Sequence, residues 1–86
     1  MNGITYKDEP IQKIYFRISE VAERFQVAQS AIRFWLSEFH IEVRRNKKGD
    51  RLFTSDDIGK LEEVNFLLNV EGYTHWGAKR KLENYD

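Results

Sequence analysis

The stretch Ile18–Phe39, ISEVAERFQVAQSAIRFWLSEF, constrains this chain more than any other part of it. It reads as two short amphipathic helices with a tight break near Gln26 and Val27. Ser19 is expected to cap the first helix, with Ile18 just before it closing over the first turn. Val21, Ala22 and Phe25 then share one helical face at the spacing that meets a core. The second helix repeats the pattern with Ala28, Ala31, Ile32, Trp35 and Phe39 inward. Gln29, Ser30, Arg33 and Ser37 are left on the opposite face, a set of hydrogen-bonding groups with a single charge. Two helices joined by a short turn, the second presenting polar side chains, form the helix-turn-helix pattern.

A chain of 86 residues is expected to be one domain with a small core. Its 14% aromatic content suits that core, because each ring buries a large area. The absence of cysteine excludes disulfides, thiol chemistry and cysteine-based metal sites. No apolar run approaches the roughly 18 residues of a membrane helix, and no signal peptide is visible, so a soluble cytoplasmic protein without a membrane partner is expected. Formal net charge is zero, yet the charge is sorted. From Arg17 to Arg51 there are eight basic residues against five acidic, and from Leu52 to Asp86 four against seven. The basic half contains the helix-turn-helix, the footprint of a phosphate-binding face on an otherwise neutral domain.

Residues 1–10 lack periodicity and are expected to form a flexible lead-in to a domain spanning 11–86. Ile11–Ile18 is apolar and β-branched enough for a short extended piece packed beside the first helix. Arg17 at its end either touches a phosphate or is solvated while Tyr15 or Phe16 packs the core. After Phe39, the pieces Ile41–Arg45 and Arg51–Thr54 can pair as strands around a turn containing Asn46 and Gly49. Arg44, Arg45, Lys47, Lys48 and Arg51 make this hairpin a basic wing able to follow a nucleic-acid backbone. The bland reading is a hairpin whose charge keeps its edge from pairing with other chains.

Thr54, Ser55, Asp56 and Asp57 form a helix start, a hydroxyl cap followed by acids that suit the positive helix end. Cap chemistry accounts for both aspartates, and no His, Lys or glycine-rich loop joins them as catalytic partners. Ile58, Leu61, Val64, Leu67 and Leu68 then give one apolar helical face to about Val70, with Gly72 as a stop. Thr74 is expected to cap a last helix from His75 to about Asn84, with Trp76, Ala78 and Leu82 as its apolar residues. Gly77 weakens that helix. Lys79, Arg80 and Lys81 suit its negative end, a second phosphate contact being the alternative. His40 and His75 lack cysteine partners and read as ordinary polar residues, so no metal site or cofactor is expected.

The order helix-turn-helix, basic hairpin, long helix and short capped helix resembles the DNA-binding domain of the MerR family of transcriptional regulators. The likeness is carried by Ile18, Ser19, Glu20, Val21 and Ala22, then by Val27, Ile32, Arg33, Phe34 and Trp35. Arg44, Arg45, Gly49, Arg51, Leu52 and Phe53 carry it through the wing, and Asp57, Ile58, Gly72, Tyr73 and Thr74 through the final helices. It covers about Tyr15 to Leu82. The resemblance implies a mostly α fold: a winged helix-turn-helix with a short β-hairpin wing followed by two further helices. It also implies binding to double-stranded promoter or operator DNA, usually as a homodimer, here through a segment beyond this chain, with control of transcription by distorting an overlong promoter spacer. Carried over, Arg33 and Phe34 match the family's arginine–aromatic pair on the recognition helix, and Arg44, Arg45 and Arg51 match wing arginines.

Ala28, Ser30 and Ala31 stand where family members often have Ser, Arg and Thr, Leu36 where an acid is common, and Phe53 where tyrosine is frequent. Three readings follow. In the first, a sequence-specific regulator grips phosphates with the wing and Arg33 while Gln29, Ser30 and Arg33 read base edges. The second is a protein-binding adaptor of the chaperone-modulator type on the same fold, to which neutral charge, Leu36 and Trp76 point. The third is a small excisionase-like protein of DNA architecture. An enzyme is not expected, since no nucleophile, metal or acid–base pair is placed by the sequence.

Overall fold

The computed structural model describes residues 14–83, and within them four α-helices and one two-stranded hairpin follow in chain order. They are α1 (Ile18–Phe25), α2 (Gln29–Glu38), β1 (Arg44–Arg45), β2 (Arg51–Leu52), α3 (Ser55–Asn65) and α4 (His75–Glu83), with a π-helical turn, Phe66–Val70, extending α3. The architecture is the expected winged helix-turn-helix with two further helices. The proposed lead-in over residues 1–10 lies outside the described residues. Among those described, no helix is long and apolar enough to cross a membrane.

α1 begins two residues earlier than its hydroxyl suggests. Arg17 occupies the cap position and Ser19 lies exposed in the first turn. The start is set from behind: Phe16 pairs with Phe53 as an antiparallel bridge, exchanging two N–H···O bonds of 2.7 and 2.8 Å. That bridge holds the chain extended through Phe16, so the helix opens at once. An arginine side chain has no acceptor, and the Glu20 carboxylate takes the cap's duty by accepting the Arg17 N–H at 2.8 Å.

The break between α1 and α2 is where the sequence indicates. Gln26 adopts the left-handed conformation (φ 59°, ψ 43°), and the N–H groups of Gln26 and Val27 close back onto Glu23 and Ala22 at 3.1 and 3.0 Å. α2 starts with Ala28 as a cap that makes no side-chain bond, and Ala28 is exposed, not inward. Its inward arc is Ile32, Trp35, Leu36 and half-buried Phe39. Leu36 is only 7% exposed, which corrects its reading as a surface residue: four positions after Ile32, it falls on the same face. Phe25 and Trp35 lock the helices together edge to face, with centroids 6.1 Å apart.

The core is closed by Phe53 from the hairpin and by Ile58, Leu61 and Val64 from α3. Phe53, 0% exposed, links hairpin to core, and Thr54 immediately caps α3. The cap is reciprocal: the Asp57 N–H donates to Thr54 Oγ1 at 3.2 Å and the Thr54 N–H to Asp57 Oδ2 at 2.9 Å. Asp57 is thereby buried and satisfied, as cap chemistry requires.

α3 does not run regularly to Val70. Its last turn widens into the π form, and after Gly72 turns the chain at φ 77°, the Tyr73 N–H reaches the Leu67 carbonyl at 2.8 Å. Thr74 caps α4 as expected, accepting the Gly77 N–H at 3.0 Å. Gly77 is explained by crowding: a Cβ there would stand 3.2 Å from Thr74 Oγ1 and 3.4 Å from the Tyr73 ring. In α4, Ala78 and Leu82 face inward, but Trp76 is 67% exposed. Two residues before Ala78 is about 200° around a helix, so the two cannot share a face. The Trp76 ring is covered instead by the Arg80 guanidinium at 4.9 Å.

Candidate nucleic-acid interface

On α2, the helix that fills its core side with Ile32, Trp35 and Leu36, the remaining face carries Gln29, Ser30, Arg33, Phe34 and Ser37, all exposed. Phe34 is the anomaly among them, a large apolar ring 50% exposed on a polar face. The hairpin stands beside this face. Its register pairs Arg45 with Arg51 and Arg44 with Leu52. Directly opposed residues share a side of the hairpin, so Arg45 and Arg51 lie together while Arg44, one residue along, points the other way.

An open groove of about 370 Å³ separates α2 from the hairpin. Leu36, Ile41 and Val43 line it with apolar surface, and Arg33, Ser37, Arg45, Arg51 and Glu42 supply its polar groups. Three guanidiniums against one carboxylate leave it strongly positive. Arg51 registers the crowding: burial first, then Arg45 and Arg33, holds its pKa below the ordinary arginine value. Like charges are driven together here by the fold. An anion entering the groove would relieve that repulsion, and planar guanidiniums suit the paired oxygens of a phosphate.

The turn at the hairpin tip is built by Asn46. Its side-chain oxygen accepts the N–H groups of Lys48 and Asp50 at 3.0 and 2.9 Å, and Gly49 supplies the required positive φ of 92°. Lys47 and Lys48 are exposed on this rigid tip. The Arg45 guanidinium donates to the Gly49 carbonyl at 3.0 Å, which holds it along the hairpin.

The ten residues singled out from the sequence therefore fall into groups. Gln29, Ser30, Arg33 and Phe34 share the open face of α2, and Arg33, Arg45 and Arg51 meet at the groove. Lys47 and Lys48 occupy the tip. Arg44 sits on the far side, donating to the Tyr15 hydroxyl at 3.3 Å and lying 6.0 Å from that ring's centre. Arg17 reaches Asp50 at 3.4 Å, between two exposed side chains, which ties the start of α1 to the base of the tip. Arg17 nevertheless stays exposed while Phe16 packs against the core. Ser37, which the sequence places on the polar face of α2, also lines the groove; sequence reasoning passed over Glu42 there, the contact of Tyr15 with Arg44, and that of His75, whose ring lies 5.1 Å from that of Phe34. The Arg45–Arg51 partnership was available in the hairpin register; the His75 contact had no signal, since it joins elements 41 residues apart.

Of the other cations, Arg24 bonds Glu62 at 2.9 Å and Lys79 bonds Glu38 at 3.7 Å. The first pins α1 to α3 and the second pins α4 to the end of α2. Among the described residues, no three of His, Cys, Asp and Glu gather as a metal site.

Residues 16–85 match the profile described as MerR HTH family regulatory protein. Among solved structures, the chain is similar to HiNmlR, a MerR family regulator lacking the sensor domain, bound to promoter DNA. The TM-score is 0.67 at 25% identity, over 81% of this chain and 56% of that one. It is 36% identical over 50 residues to the chromosome-anchoring protein RacA of Geobacillus kaustophilus (strain HTA426), covering 58% of this chain and 29% of RacA. It is also 35% identical over 68 residues to a tyrosine 3-monooxygenase of Drosophila melanogaster, covering 77% of this chain but 11% of that protein. The chain thus spans less than a third of the length of either curated relative.

Proposed function

Since the chain belongs to the MerR HTH family of regulatory proteins, we propose that it is a transcriptional regulator that binds promoter or operator DNA through α2 and the hairpin. The observation that carries this is the groove where Arg33 of α2 meets Arg45 and Arg51 of the wing. In this reading α2 lies in the major groove and the arginine cluster takes the adjoining backbone phosphates. Gln29 and Ser30, at the start of α2, read base edges; a glutamine amide can grip adenine with two hydrogen bonds. Lys47 and Lys48 add backbone charge from the tip, with Arg17 and Arg44 as outlying contacts. Dimerisation on a two-fold site and a cytoplasmic setting belong to the same proposal, as does a role without catalysis. The adaptor alternative loses one of its supports, because Leu36 is in the core.

The test is selection from a pool of randomised duplexes, followed by titration of the selected sequence against a scrambled one. The protein should enrich a defined sequence, and Gln29→Ala or Ser30→Ala should shift the preferred base at a few positions, each discrimination amounting to about 1–3 kcal/mol. Failure to enrich any sequence, or identical preferences in wild type and both variants, would remove sequence reading from these residues.

A further inference from the structure

We propose that His75 is a positioning residue for the reading helix: from the first turn of α4 it fixes the Phe34 ring on the exposed face of α2, and so sets part of the sequence preference. The inference rests on the DNA-binding reading above. Its evidence lies in the contact between α2 and α4. The His75 ring meets Phe34 edge to face, centroids 5.1 Å apart at 65°, and lies over Phe39 at 6.1 Å and 30°. One imidazole therefore touches both an outward and an inward aromatic of the same helix.

Its own position is held independently. Thr74 caps the turn in which it sits, and the Lys79–Glu38 ion pair ties the next turn of α4 to the end of α2. His75 Nδ1 is buried and has no hydrogen-bond partner among the described residues. For packing alone this is a poor residue, since leucine would fill the site without burying an unpaired polar atom. What the imidazole supplies is a flat ring at the angle an aromatic edge prefers. A half-exposed phenylalanine without such a neighbour exchanges rotamers rapidly, and a base contact made by it would be averaged.

The experiment compares His75→Ala, His75→Phe, Phe34→Ala and the His75→Ala/Phe34→Ala double variant. Each is titrated on the duplex that wild type selects and on a scrambled duplex, at several salt concentrations. His75→Ala should lower the preference for the selected duplex roughly three- to tenfold, the scale of one aromatic pair. The salt slope should stay that of wild type, because the wing is untouched. His75→Phe should restore the preference. The double variant should lose no more than Phe34→Ala alone. Full preference in His75→Ala, or additive losses in the double variant, would overturn the proposal.

NMR of the unbound protein supplies a readout that needs no DNA. His75→Ala should broaden or shift the Phe34 ring signals while the methyls of Val21 and Leu61 stay in place. Unmoved Phe34 signals would overturn the positioning role, whereas a wild type that binds no duplex would overturn only the DNA reading. Shifts throughout the core in His75→Ala would show a merely structural role and count against the proposal, provided His75→Phe keeps the native core.

Discussion

Replacing Arg51 by glutamine should weaken binding and leave stability unharmed, a pairing of signs that only a ligand-facing charge produces. Arg51 is half-buried on the groove wall beside Arg45 and Arg33, and burial and those two charges together lower its pKa. A base whose folded pKa lies below its unfolded one holds its proton less tightly when folded. The folded state therefore carries a penalty at every pH below the folded value, and the penalty fades only as pH rises through that value toward the ordinary arginine value. Across the neutral range it is constant. Removing the charge removes it, so the melting temperature should stay level or rise. Binding should move the other way. One charge-assisted hydrogen bond is worth about 1.5–3 kcal/mol, which is roughly ten- to hundredfold in affinity at low salt. One lost phosphate contact also takes about 0.9 from the slope of log affinity against log salt. Between about 50 and 200 mM salt, the variant should then lose about 3.5-fold less affinity than wild type. Fluorescence anisotropy with the selected and a scrambled duplex gives the slopes, and a circular dichroism melt gives the stability. An unchanged slope, a loss confined to the selected duplex, or a lowered melting temperature would each refute the reasoning.

Two stability predictions follow from the backbone and the core. Gln26 holds the left-handed conformation that glycine adopts without strain, so Gln26→Gly should stabilise the fold by about 0.5–1 kcal/mol in urea titration after the entropy cost of glycine; a loss of stability would mean the Gln26 side chain contributes more than its backbone costs. Leu36→Asp should destabilise by about 4 kcal/mol or more, because it places an unpaired charge in the core next to Ile32 and Trp35; a variant that melts like wild type would return Leu36 to the surface and reopen the adaptor reading.

Much of this domain is legible along the chain because its elements are short and locally signed. The α1–α2 break, the Asn46–Gly49 turn, the Thr54/Asp57 cap and the Thr74 cap each depend on residues within five positions of one another. Helical spacing also indicates which face of α2 is open. Where the reading from sequence differs, the cause is a partner distant in sequence or a face assigned by composition. Ser19 yields the cap because Phe53 holds Phe16, 37 residues before it, extended. Leu36 is buried by the groove residues Ile41 and Val43 and by the core beneath, and Trp76 is exposed because Ala78 takes the inward face.

The basic interface divides in the same way. Its ingredients, five cations between Arg44 and Arg51 and a polar α2 face, are plain in the sequence. Which of them converge is not. Strand alternation sends Arg44 to Tyr15 and keeps Arg45 and Arg51 together, and only the docking of the hairpin against α2 brings Arg33 to them. The contact of His75 with Phe34 likewise exists only because α4 returns across α2. Local hydrogen-bonding and periodicity, written in neighbouring residues, determine the helices, turns and charge of this protein. The grouping of three arginines and the ring behind Phe34 were decided by tertiary packing, since charge repulsion and ring contact act through space between residues the chain keeps far apart.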